Sequence, residues 1–269
     1  MKRDASPPAA VNESFSFVVK NLSKHFGGIQ AIVDVSFKIT GERILSVIGP
    51  NGAGKTTLIN LLSGAFPPDS GDILFYGQNL VRLPAYRRAS LGICRTFQLE
   101  DLFANMTVLE NAMVGCHLKG RAGWFSAGLH LRRERREEIL ITESAYRNLE
   151  RIGLGKKAHE KVTNLPLGER KLLGIARALG TNPRLLMLDE PAGGLAAHEV
   201  ARLKDLLRTL LTENDLRILL VEHNVPFVMS VSDRIIVLNY GQKIADDTPE
   251  NIRNHPRVIE AYLGENSWE

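Results

Sequence analysis

Cysteine is scarce in this sequence, which contains only Cys94 and Cys116 among its 269 residues. Their spacing matches no metal-binding or redox motif, so a disulfide framework is excluded and a reducing compartment such as the cytoplasm is favoured. Long hydrophobic runs are also missing. No stretch of about 18 apolar residues occurs, which excludes a membrane-spanning helix in this sequence.

The sequence lacks a strong excess of either charge. Its 34 basic and 30 acidic residues leave a net charge of +4, which is weak support for a nucleic-acid partner, and we expect none. The richest basic stretch, residues 132–138, alternates in sign, a pattern more typical of a solvated helix face than of a nucleic-acid patch. The first fourteen residues lack the apolar core of a signal peptide. We expect a disordered tail at 1–14, one domain at 15–264 and a short tail at 265–269.

A glycine-rich segment follows the first strongly apolar run. It fits the pattern G-x-x-x-x-G-K-[ST] and reads Gly49-Pro50-Asn51-Gly52-Ala53-Gly54-Lys55-Thr56-Thr57. A buried strand is predicted before it, at 44–48, and a helix after it, which is the context of a phosphate-binding loop rather than of a chance glycine-rich turn. Glycines let successive backbone N–H groups point at phosphate oxygens, and the helix N-terminus adds partial positive charge. We expect Lys55 to reach the β- and γ-phosphates of a nucleotide and the Thr56 hydroxyl to bind Mg²⁺.

Strands and helices alternate along the chain. Short segments of strand composition, separated by turn residues, lie at 15–19, 35–39 and 73–76. Continuous apolar runs lie at 185–188, 218–221 and 235–238. Continuous runs indicate burial on both faces, as in a parallel sheet. The sequence therefore predicts an α/β fold: a phosphate-loop core with a mostly parallel sheet, an antiparallel β portion, and a helical subdomain inserted over roughly 90–180.

Two adjacent carboxylates end the apolar run at 185–188. Asp189 and Glu190 follow it directly. An Asp at the end of a buried strand beside a phosphate loop can hold Mg²⁺ through its water shell, and a neighbouring Glu can polarise an attacking water. Acidic strand ends also occur as plain turn residues, but the phosphate loop in the same chain favours a catalytic pair.

The order of these motifs resembles that of the ATPase subunit of an ABC transporter, over about residues 15–264. The resemblance implies that Phe26 stacks on adenine and that His223 contacts the γ-phosphate. It implies that Gln98 senses the γ-phosphate and Mg²⁺ and faces a membrane subunit. ATP and Mg²⁺ are then the cofactors, with Asp189 holding the metal beside Thr56 and Gln98, and Glu190 catalytic beside His223 and Gln98. Each of the three added residues also fits a structural role: a surface aromatic, a polar loop residue, and a histidine after a buried strand.

The family signature has a divergent counterpart. Where the family has L-S-G-G-Q, this chain has Leu165-Pro166-Leu167-Gly168-Glu169. Pro166 has neither a hydroxyl nor an N–H, so the family's hydroxyl contact to the γ-phosphate is not carried over. The Gly168 N–H and the N-terminus of the following helix still offer an anion site, and we expect Pro166, Leu167, Gly168 and Glu169 to serve the nucleotide of a partner chain. The loop that crosses to the other subunit has Ala196-Ala197 where the family usually has an Asp.

Three further segments are similar to the branched-chain amino-acid uptake subfamily, at 106–111, 248–252 and 258–264. The resemblance implies an ATP-hydrolysing subunit that energises an importer of branched-chain amino acids or related amides. Such a subunit is peripheral on the cytoplasmic face of the inner membrane. Its partners are membrane permeases, a second ATPase subunit, identical or related, that completes an ATP sandwich, and, indirectly, a periplasmic or extracellular solute-binding protein.

Other functions are weighed against this one. No guanine-reading Asn-Lys-x-Asp occurs, as a P-loop GTPase would require, and a small-molecule kinase would not carry Gln98, the signature and His223 in series. The alternatives that stay open are the ATPase subunit of another ABC transporter, such as a lipid exporter, and a soluble ABC ATPase not coupled to transport. Because this subunit does not touch the solute, its sequence does not choose among solutes.

Overall fold

The structure is a computed structural model that describes residues 15–96, 102–117, 132–213 and 215–262. Its strands are β1 (Phe17–Phe26), β2 (Ile29–Ile39), β3 (Ile44–Ile48), β4 (Ser70–Phe75), β5 (Gln78–Asn79), β6 (Ile93–Arg95), β7 (Leu185–Asp189), β8 (Arg217–Val221), β9 (Arg234–Asn239) and β10 (Gln242–Asp247). Its α-helices are α1 (Lys55–Ser63), α2 (Ala85–Ser90), α3 (Val108–Cys116), α4 (Arg132–Arg151), α5 (Leu167–Gly180), α6 (Ala197–Glu213), α7 (Val225–Val231), α8 (Pro249–Arg253) and α9 (Pro256–Tyr262). Short 3₁₀ helices occupy Gly155–Lys157 and Val162–Asn164.

The larger sheet has the strand order β10-β9-β3-β8-β7-β6. The five strands from β9 to β6 run parallel, and β10 pairs antiparallel with β9. The continuous apolar runs therefore form buried parallel strands, as the sequence predicts. The register sets Val221 of β8 opposite both Val47 of β3 and Asp189 of β7. The carboxyl ends of these three strands consequently lie side by side at one edge, where open α/β sheets bind ligands.

The smaller sheet, in the order β2-β1-β4-β5, is antiparallel throughout. It is the antiparallel portion that the sequence predicts, but β1 and β2 are longer than the predicted segments 15–19 and 35–39. The added residues form a hairpin in which Phe26 pairs with Ile29. Several side chains of this hairpin are exposed, so its strands lack the apolar alternation on which the prediction relied.

Alternate residues of the larger sheet face two separate hydrophobic layers. In β3, Ile44 and Ile48 pack with residues of α3 to α7, whereas Leu45 and Val47 pack with α1 and the smaller sheet. Successive side chains of a strand point to opposite faces of the sheet, and both faces of this sheet are covered, so its residues divide between two layers. The phosphate-binding loop and α1 thus lie between the two sheets, and the helical layer covers the opposite face.

Helices α3, α4 and α5 form the helical part. The side chain of Thr107 accepts the N–H of Glu110 in a capping box that begins α3. Contact between α3 and α5 is so close that a Cβ on Gly115 would overlap the carbonyl oxygen of Arg177. Strand β6 falls inside the range 90–180 but pairs in parallel with β7, so it belongs to the larger sheet. Among the helices that the structure describes, none is both long and apolar enough to cross a membrane.

Candidate nucleotide-binding site

The phosphate-binding loop joins β3 to α1, and two of its glycines are required by close backbone contacts. Gly49 has φ 155° and Gly54, the N-cap of α1, has φ 99°. A Cβ on Gly49 would overlap the carbonyl oxygen of Leu238, and one on Gly54 would overlap that of Ala31. Because the opposing atoms are backbone, neither position can relax around a side chain. The loop is therefore clamped between the end of β9 and the start of β2.

The Lys55 side chain is buried inside this loop. Its Nζ donates to the carbonyl oxygens of Gly49, at 2.6 Å, and Pro50, at 2.9 Å. The ammonium thus lies on the concave side of the loop, where phosphate oxygens can replace carbonyl oxygens as its acceptors. The other predicted loop residues divide by exposure: Ala53 is buried, Pro50, Gly54 and Thr57 are half-buried, and Asn51, Gly52 and Thr56 are exposed.

A buried arginine fixes the far end of α1. Arg88 is 1% exposed, and its guanidinium donates to the carbonyl oxygens of Leu61, Leu62 and Leu80 at 2.7 to 2.8 Å. The bonds to Leu61 and Leu62 reach carbonyls of the last turn of α1, where intrahelical donors run out, and the bond to Leu80 ties that turn to the chain after β5. Burial lowers the pKa of Arg88 to about 10, so the group stays charged at neutral pH. The helix that carries the phosphate loop is therefore anchored at both ends.

Phe26 lies at the end of β1 with 47% of its surface exposed. Its ring packs edge-on against Phe66, with centroids 5.4 Å apart, and the Nζ of Lys24 lies 5.5 Å from its centroid. Lys24 in turn pairs with Asp69 at 2.6 Å. The hydrogen bond from Lys24, aided by the backbone N–H of His25, lowers the pKa of Asp69 to about 2. The ring is thus held from one side while the rest of its surface is open to a stacking ligand.

Asp189 ends β7 and is paired with Arg95, at the end of the neighbouring β6. The two side chains meet at 2.6 Å, and the guanidinium of Arg95 also donates to the side chain of Asn60 on α1. Sequence analysis missed Arg95, because no local motif links it to residue 189. Gln98, three residues after Arg95, lies outside the described residues, as do 1–14 and 263–269.

Glu190 adopts a backbone conformation that side chains rarely take, with φ 47°. Such strain costs roughly 1–3 kcal/mol and persists only where the surroundings hold it. The N–H of Glu190 donates to Val221 at 2.8 Å, and its carbonyl accepts the N–H of Gly193 at 3.2 Å. Its carboxylate is about half exposed and lies 3.7 Å from the Nδ1 of His223. The structure thus brings Glu190 and His223 together at the edge where Asp189 and the phosphate loop end.

Lys171 of α5 was also missed by sequence analysis. Its Nζ donates to the carbonyl oxygens of Glu190, at 2.8 Å, and Gly193, at 2.5 Å. Burial lowers the pKa of Lys171, while the carboxylates of Glu222 and Glu190 oppose that shift. One ammonium therefore closes both ends of residues 190–193, which we call the Glu190 turn.

Glu222, the residue before His223, ties the Glu190 turn to the end of β8. It is fully buried, and its carboxylate accepts the N–H groups of Ala192 at 2.6 Å, His223 at 3.0 Å and Asn224 at 3.3 Å. Burial raises the pKa of Glu222, and these backbone bonds oppose the shift. A buried acidic residue within an otherwise apolar strand end is the one signal that could have identified it.

The signature segment begins α5. Pro166 is the N-cap and Leu167, 37% exposed, is the first helical residue. Glu169, which replaces the family's Gln, pairs with Lys157 of the same chain at 2.6 Å. Helix geometry leaves the N–H groups of this first turn without intrahelical acceptors, so an anion site at the start of α5 is compatible with the proline.

Gly168 is packed against its own chain rather than open. A Cβ at this position would overlap the Oε1 of Glu199. Glu199 also accepts the N–H of Ala196 at 2.9 Å, and α6 begins at Ala197. The crossing loop is therefore capped by Glu199 instead of by a side chain at 196 or 197.

The fold and this arrangement define a P-loop nucleoside-triphosphate-binding protein of the α/β class. The chain belongs to the ABC transporter family, because the family model with that description matches residues 32–193. A second model, described as branched-chain amino acid ATP-binding cassette transporter, matches residues 242–266. The resemblance seen in the sequence is thereby confirmed, and the chain is an ATP-hydrolysing subunit of the ABC transporter class.

Named relatives support the same family. The chain is 44% identical over 247 residues to the high-affinity branched-chain amino acid transport ATP-binding protein LivG of Escherichia coli, covering 92% of this chain and 97% of LivG. It is 42% identical over 247 residues to the corresponding protein BraF of Pseudomonas aeruginosa, with the same coverage. Both alignments span nearly the full length of the relatives.

Solved structures share the fold. The crystal structure of the ADP conformation of an ATP-binding cassette of an ABC transporter gives a TM-score of 0.82 at 31% identity, covering 94% of this chain and 100% of that chain. A dimeric structure of a bacterial ABC transporter cassette gives a TM-score of 0.73 at 25% identity, covering 87% and 98%. These similarities confirm the predicted fold class.

Proposed function

We propose that this chain binds and hydrolyses Mg²⁺-ATP as one of two cassettes that drive an importer of branched-chain amino acids or related amides. The match of residues 242–266 to the branched-chain family carries the solute assignment. Within this range β10, α8 and α9 occupy residues 242–262, which lie outside the general ABC match. The names of LivG and BraF point to the same solutes.

The site residues fit a nucleotide with a divalent cation. Thr56 at the start of α1 offers a hydroxyl and Asp189 a carboxylate, which suits Mg²⁺ because that ion keeps waters and takes phosphate oxygens. When bound, Mg²⁺ neutralises charge on the β- and γ-phosphates. Lys55 and the first-turn amides of α1 hold the phosphates, and Phe26 stacks on the base. We assign Gln98 to the γ-phosphate and metal on the resemblance alone.

Glu190 and His223 carry the hydrolytic step in this proposal. The Glu190 carboxylate polarises the water that attacks the γ-phosphate. His223, 3.7 Å away, contacts the same phosphate and orients it. The strained backbone at Glu190 supports a functional role, since strain of this kind concentrates at active sites.

A second cassette completes the site. The dimeric structure of a similar cassette supports this arrangement. In the proposal, residues 166–169 at the start of α5 approach the γ-phosphate of the nucleotide held by the partner cassette, which is an identical or a related chain. Closure on ATP and opening after hydrolysis then provide the motion that a transporter needs.

The membrane partners are permease subunits on the cytoplasmic face of the inner membrane, with a solute-binding protein acting on their other side. We propose that the segment from Gln98 to α3 contacts the permeases. Phe103, just before α3, is 47% exposed, which suits a surface that a partner covers.

Reconstitution tests the proposal. The chain, the permease subunits that co-purify with it and a solute-binding protein are placed in proteoliposomes, and ATP-dependent uptake of leucine, a short-chain amide and a lipid analogue is measured. Leucine uptake that Glu190→Gln abolishes supports the proposal. Amide uptake alone would narrow the solute class. ATPase activity without uptake of any amino acid or amide would assign the chain to another transporter, and absence of ATPase activity would overturn the proposal.

A further inference from the structure

Helix α5 contacts the Glu190 turn through Lys171, and its first residue, Leu167, lies beside Gly194, the residue that follows the turn. Lys171, one turn into α5, donates to the carbonyl oxygens of Glu190 and Gly193 at 2.8 and 2.5 Å. Nearer the N-terminus, the Cδ2 of Leu167 would lie 3.2 Å from a Cβ on Gly194. A shift of the start of α5 therefore acts directly on the backbone that carries Glu190.

The Glu190 turn is held between α5 on one side and the end of β8 on the other, with Pro191 and Ala192 buried. Its other anchors are the bond from the Glu190 N–H to Val221, at 2.8 Å, and the bond from the Ala192 N–H to Glu222, at 2.6 Å. Glu222 accepts the N–H of His223 as well. The Glu222 carboxylate thus joins the backbone of the Glu190 turn to the backbone of His223, and Lys171 connects the turn to α5.

The chain offers no comparable side chain in the crossing loop. Positions 196 and 197 are both alanine, and the carboxylate of Glu199 caps the loop locally. A polar route from one nucleotide to the other through this loop therefore lacks polar side chains at those two positions. Lys171 instead links two parts of one chain: the signature, which faces the partner's nucleotide, and the Glu190 carboxylate, which faces the chain's own nucleotide.

We propose that Lys171 is a positioning residue that couples the signature end of α5 to the Glu190 turn. When the signature binds the partner's nucleotide, Lys171 then positions the Glu190 carboxylate of the same chain for catalysis. This inference rests on the two-cassette arrangement proposed above. Lys171 touches neither phosphate nor water in this role and acts only through the backbone of Glu190 and Gly193.

The test uses the full-length protein and three variants. Lys171→Met keeps the length of the side chain and removes the charge and both hydrogen bonds. Lys171→Arg keeps charge and donors. Lys204→Met, on α6, removes a lysine for which no such contact is seen. ATPase rates are measured against ATP concentration, with nucleotide dissociation constants and melting temperatures measured in parallel.

We expect Lys171→Met to lower kcat by about 10-fold to 100-fold, the effect of a misplaced catalytic group. We also expect its Hill coefficient to fall to about 1 from a wild-type value between 1 and 2, the limit for two sites. The ATP dissociation constant should stay within about twofold of wild type, because Lys55 and not Lys171 holds the phosphates. Lys171→Arg should restore most of kcat and of the cooperativity, and Lys204→Met should match wild type.

Two results would overturn the inference while leaving the proposed function intact. One is an active, cooperative wild type that Lys171→Met does not change. The other is an equal loss of kcat and melting temperature in Lys171→Met and Lys171→Arg, which would show a packing role only. If Lys171→Met does not fold, Lys171→Gln takes its place with the same expected outcomes. A wild type that neither binds nor hydrolyses ATP would end the proposed function, and this inference with it.

Discussion

Arg95 holds the carboxylate of Asp189 from the neighbouring strand. The Nη2 of Arg95 lies 2.6 Å from the Oδ2 of Asp189, and the two side chains are only 18% and 9% exposed. The same guanidinium reaches Asn60 on α1. A partly buried pair of this kind stays together, because separating it leaves a poorly solvated charge. The strand end at Asp189 is thus linked to the helix that follows the phosphate loop.

The Arg95–Asp189 pair leads to a prediction about the Mg²⁺ dependence of ATPase activity. Arg95 and a divalent cation compete for the same carboxylate, so Arg95→Met should lower the Mg²⁺ concentration that half-saturates ATPase activity. Even an exposed ion pair contributes up to about 1 kcal/mol, and this one is partly buried, so the shift should be about fivefold or more. Mg²⁺ titration at saturating ATP measures it, with Asn60→Ala as the control that keeps the pair. An unchanged or higher Mg²⁺ requirement in Arg95→Met would contradict the prediction.

Lys55→Ala should weaken ATP binding. The ammonium bonds to Gly49 and Pro50 in this structure and is expected to bond to phosphate in the complex. Loss of a charge-assisted hydrogen bond costs about 1.5–3 kcal/mol, or about 10-fold to 150-fold in Kd. Equilibrium binding of a fluorescent ATP analogue measures it. Lys38→Ala, an exposed lysine on β2, should leave Kd unchanged, and equal affinities in both variants would remove Lys55 from the site.

Phe26→Ala should raise the Kd for ATP, whereas Phe26→Tyr should not, because a phenol ring stacks on a base as well as a phenyl ring does. Stacking contributes roughly 1–3 kcal/mol per base, or about 5-fold to 150-fold in Kd. Ile29→Ala is a matched control, since Ile29 pairs with Phe26 in the same hairpin and is 71% exposed. Similar affinities in Phe26→Ala and Ile29→Ala would refute a stacking role.

The residues alone predict the parts of the site that neighbouring positions encode, whereas Phe26, Gln98 and His223 are predicted only by the family resemblance. The apolar run of β3, the glycines after it and Lys55 form one contiguous motif, and Asp189 directly follows an apolar run. The residues that position the site are paired at longer range: Arg95 with Asp189 across 94 residues, and Glu222 with Ala192 across 30. No periodicity or motif encodes such pairs, because they depend on strand order and register.

Lys157 is predicted to shield the partner's phosphates from Glu169. The pair meets at 2.6 Å with 38% and 18% of the side chains exposed, so its own contribution to folding is only about 0–1 kcal/mol. Lys157→Met should therefore change the melting temperature little. It should raise the dissociation constant of an ATP-dependent dimer about fivefold, because an unpaired carboxylate then faces the phosphates.

A double variant separates charge from packing at this position. Lys157→Met with Glu169→Gln removes the unpaired carboxylate and should restore the wild-type dimer constant. The comparison is made by analytical ultracentrifugation at saturating ATP, in a background that does not hydrolyse the nucleotide. Equal weakening by the single and double variants would show that Lys157 acts through something other than Glu169.

Glu190→Gln should block hydrolysis and hold two chains together. A general base adds little to the binding of ATP in the ground state, so its loss leaves the nucleotide bound while kcat falls by about 10²–10⁴-fold. Gln keeps the shape of the side chain and lets the amide meet His223, which lies 3.7 Å from the carboxylate. Size-exclusion chromatography should show a monomer without ATP and a dimer with it.

In the proposed two-cassette arrangement the signature joins the chains, and Leu167 tests this better than Gly168. A Cβ at Gly168 would meet the Oε1 of Glu199, so a variant there also displaces the carboxylate that accepts the N–H of Ala196. Leu167 is the first residue of α5 and is 37% exposed. Adding Leu167→Asp to Glu190→Gln should abolish the ATP-dependent dimer, because the new carboxylate faces the partner's γ-phosphate. Leu167→Asn introduces a side chain with the shape of Asp but without its charge, and this variant should retain most of the dimer.

The outcomes of this experiment show whether the chains join through the signature, and whether the partner is an identical or a related chain. A dimer that survives Leu167→Asp would show that the chains join elsewhere. Equal loss in the Asp and Asn variants would point to apolar packing by Leu167 instead of charge. If Glu190→Gln stays monomeric with saturating ATP, the experiment is repeated with the permeases and any second cassette present, since a related chain then supplies the opposing surface. A monomer under those conditions as well would show that this chain hydrolyses ATP without a sandwich.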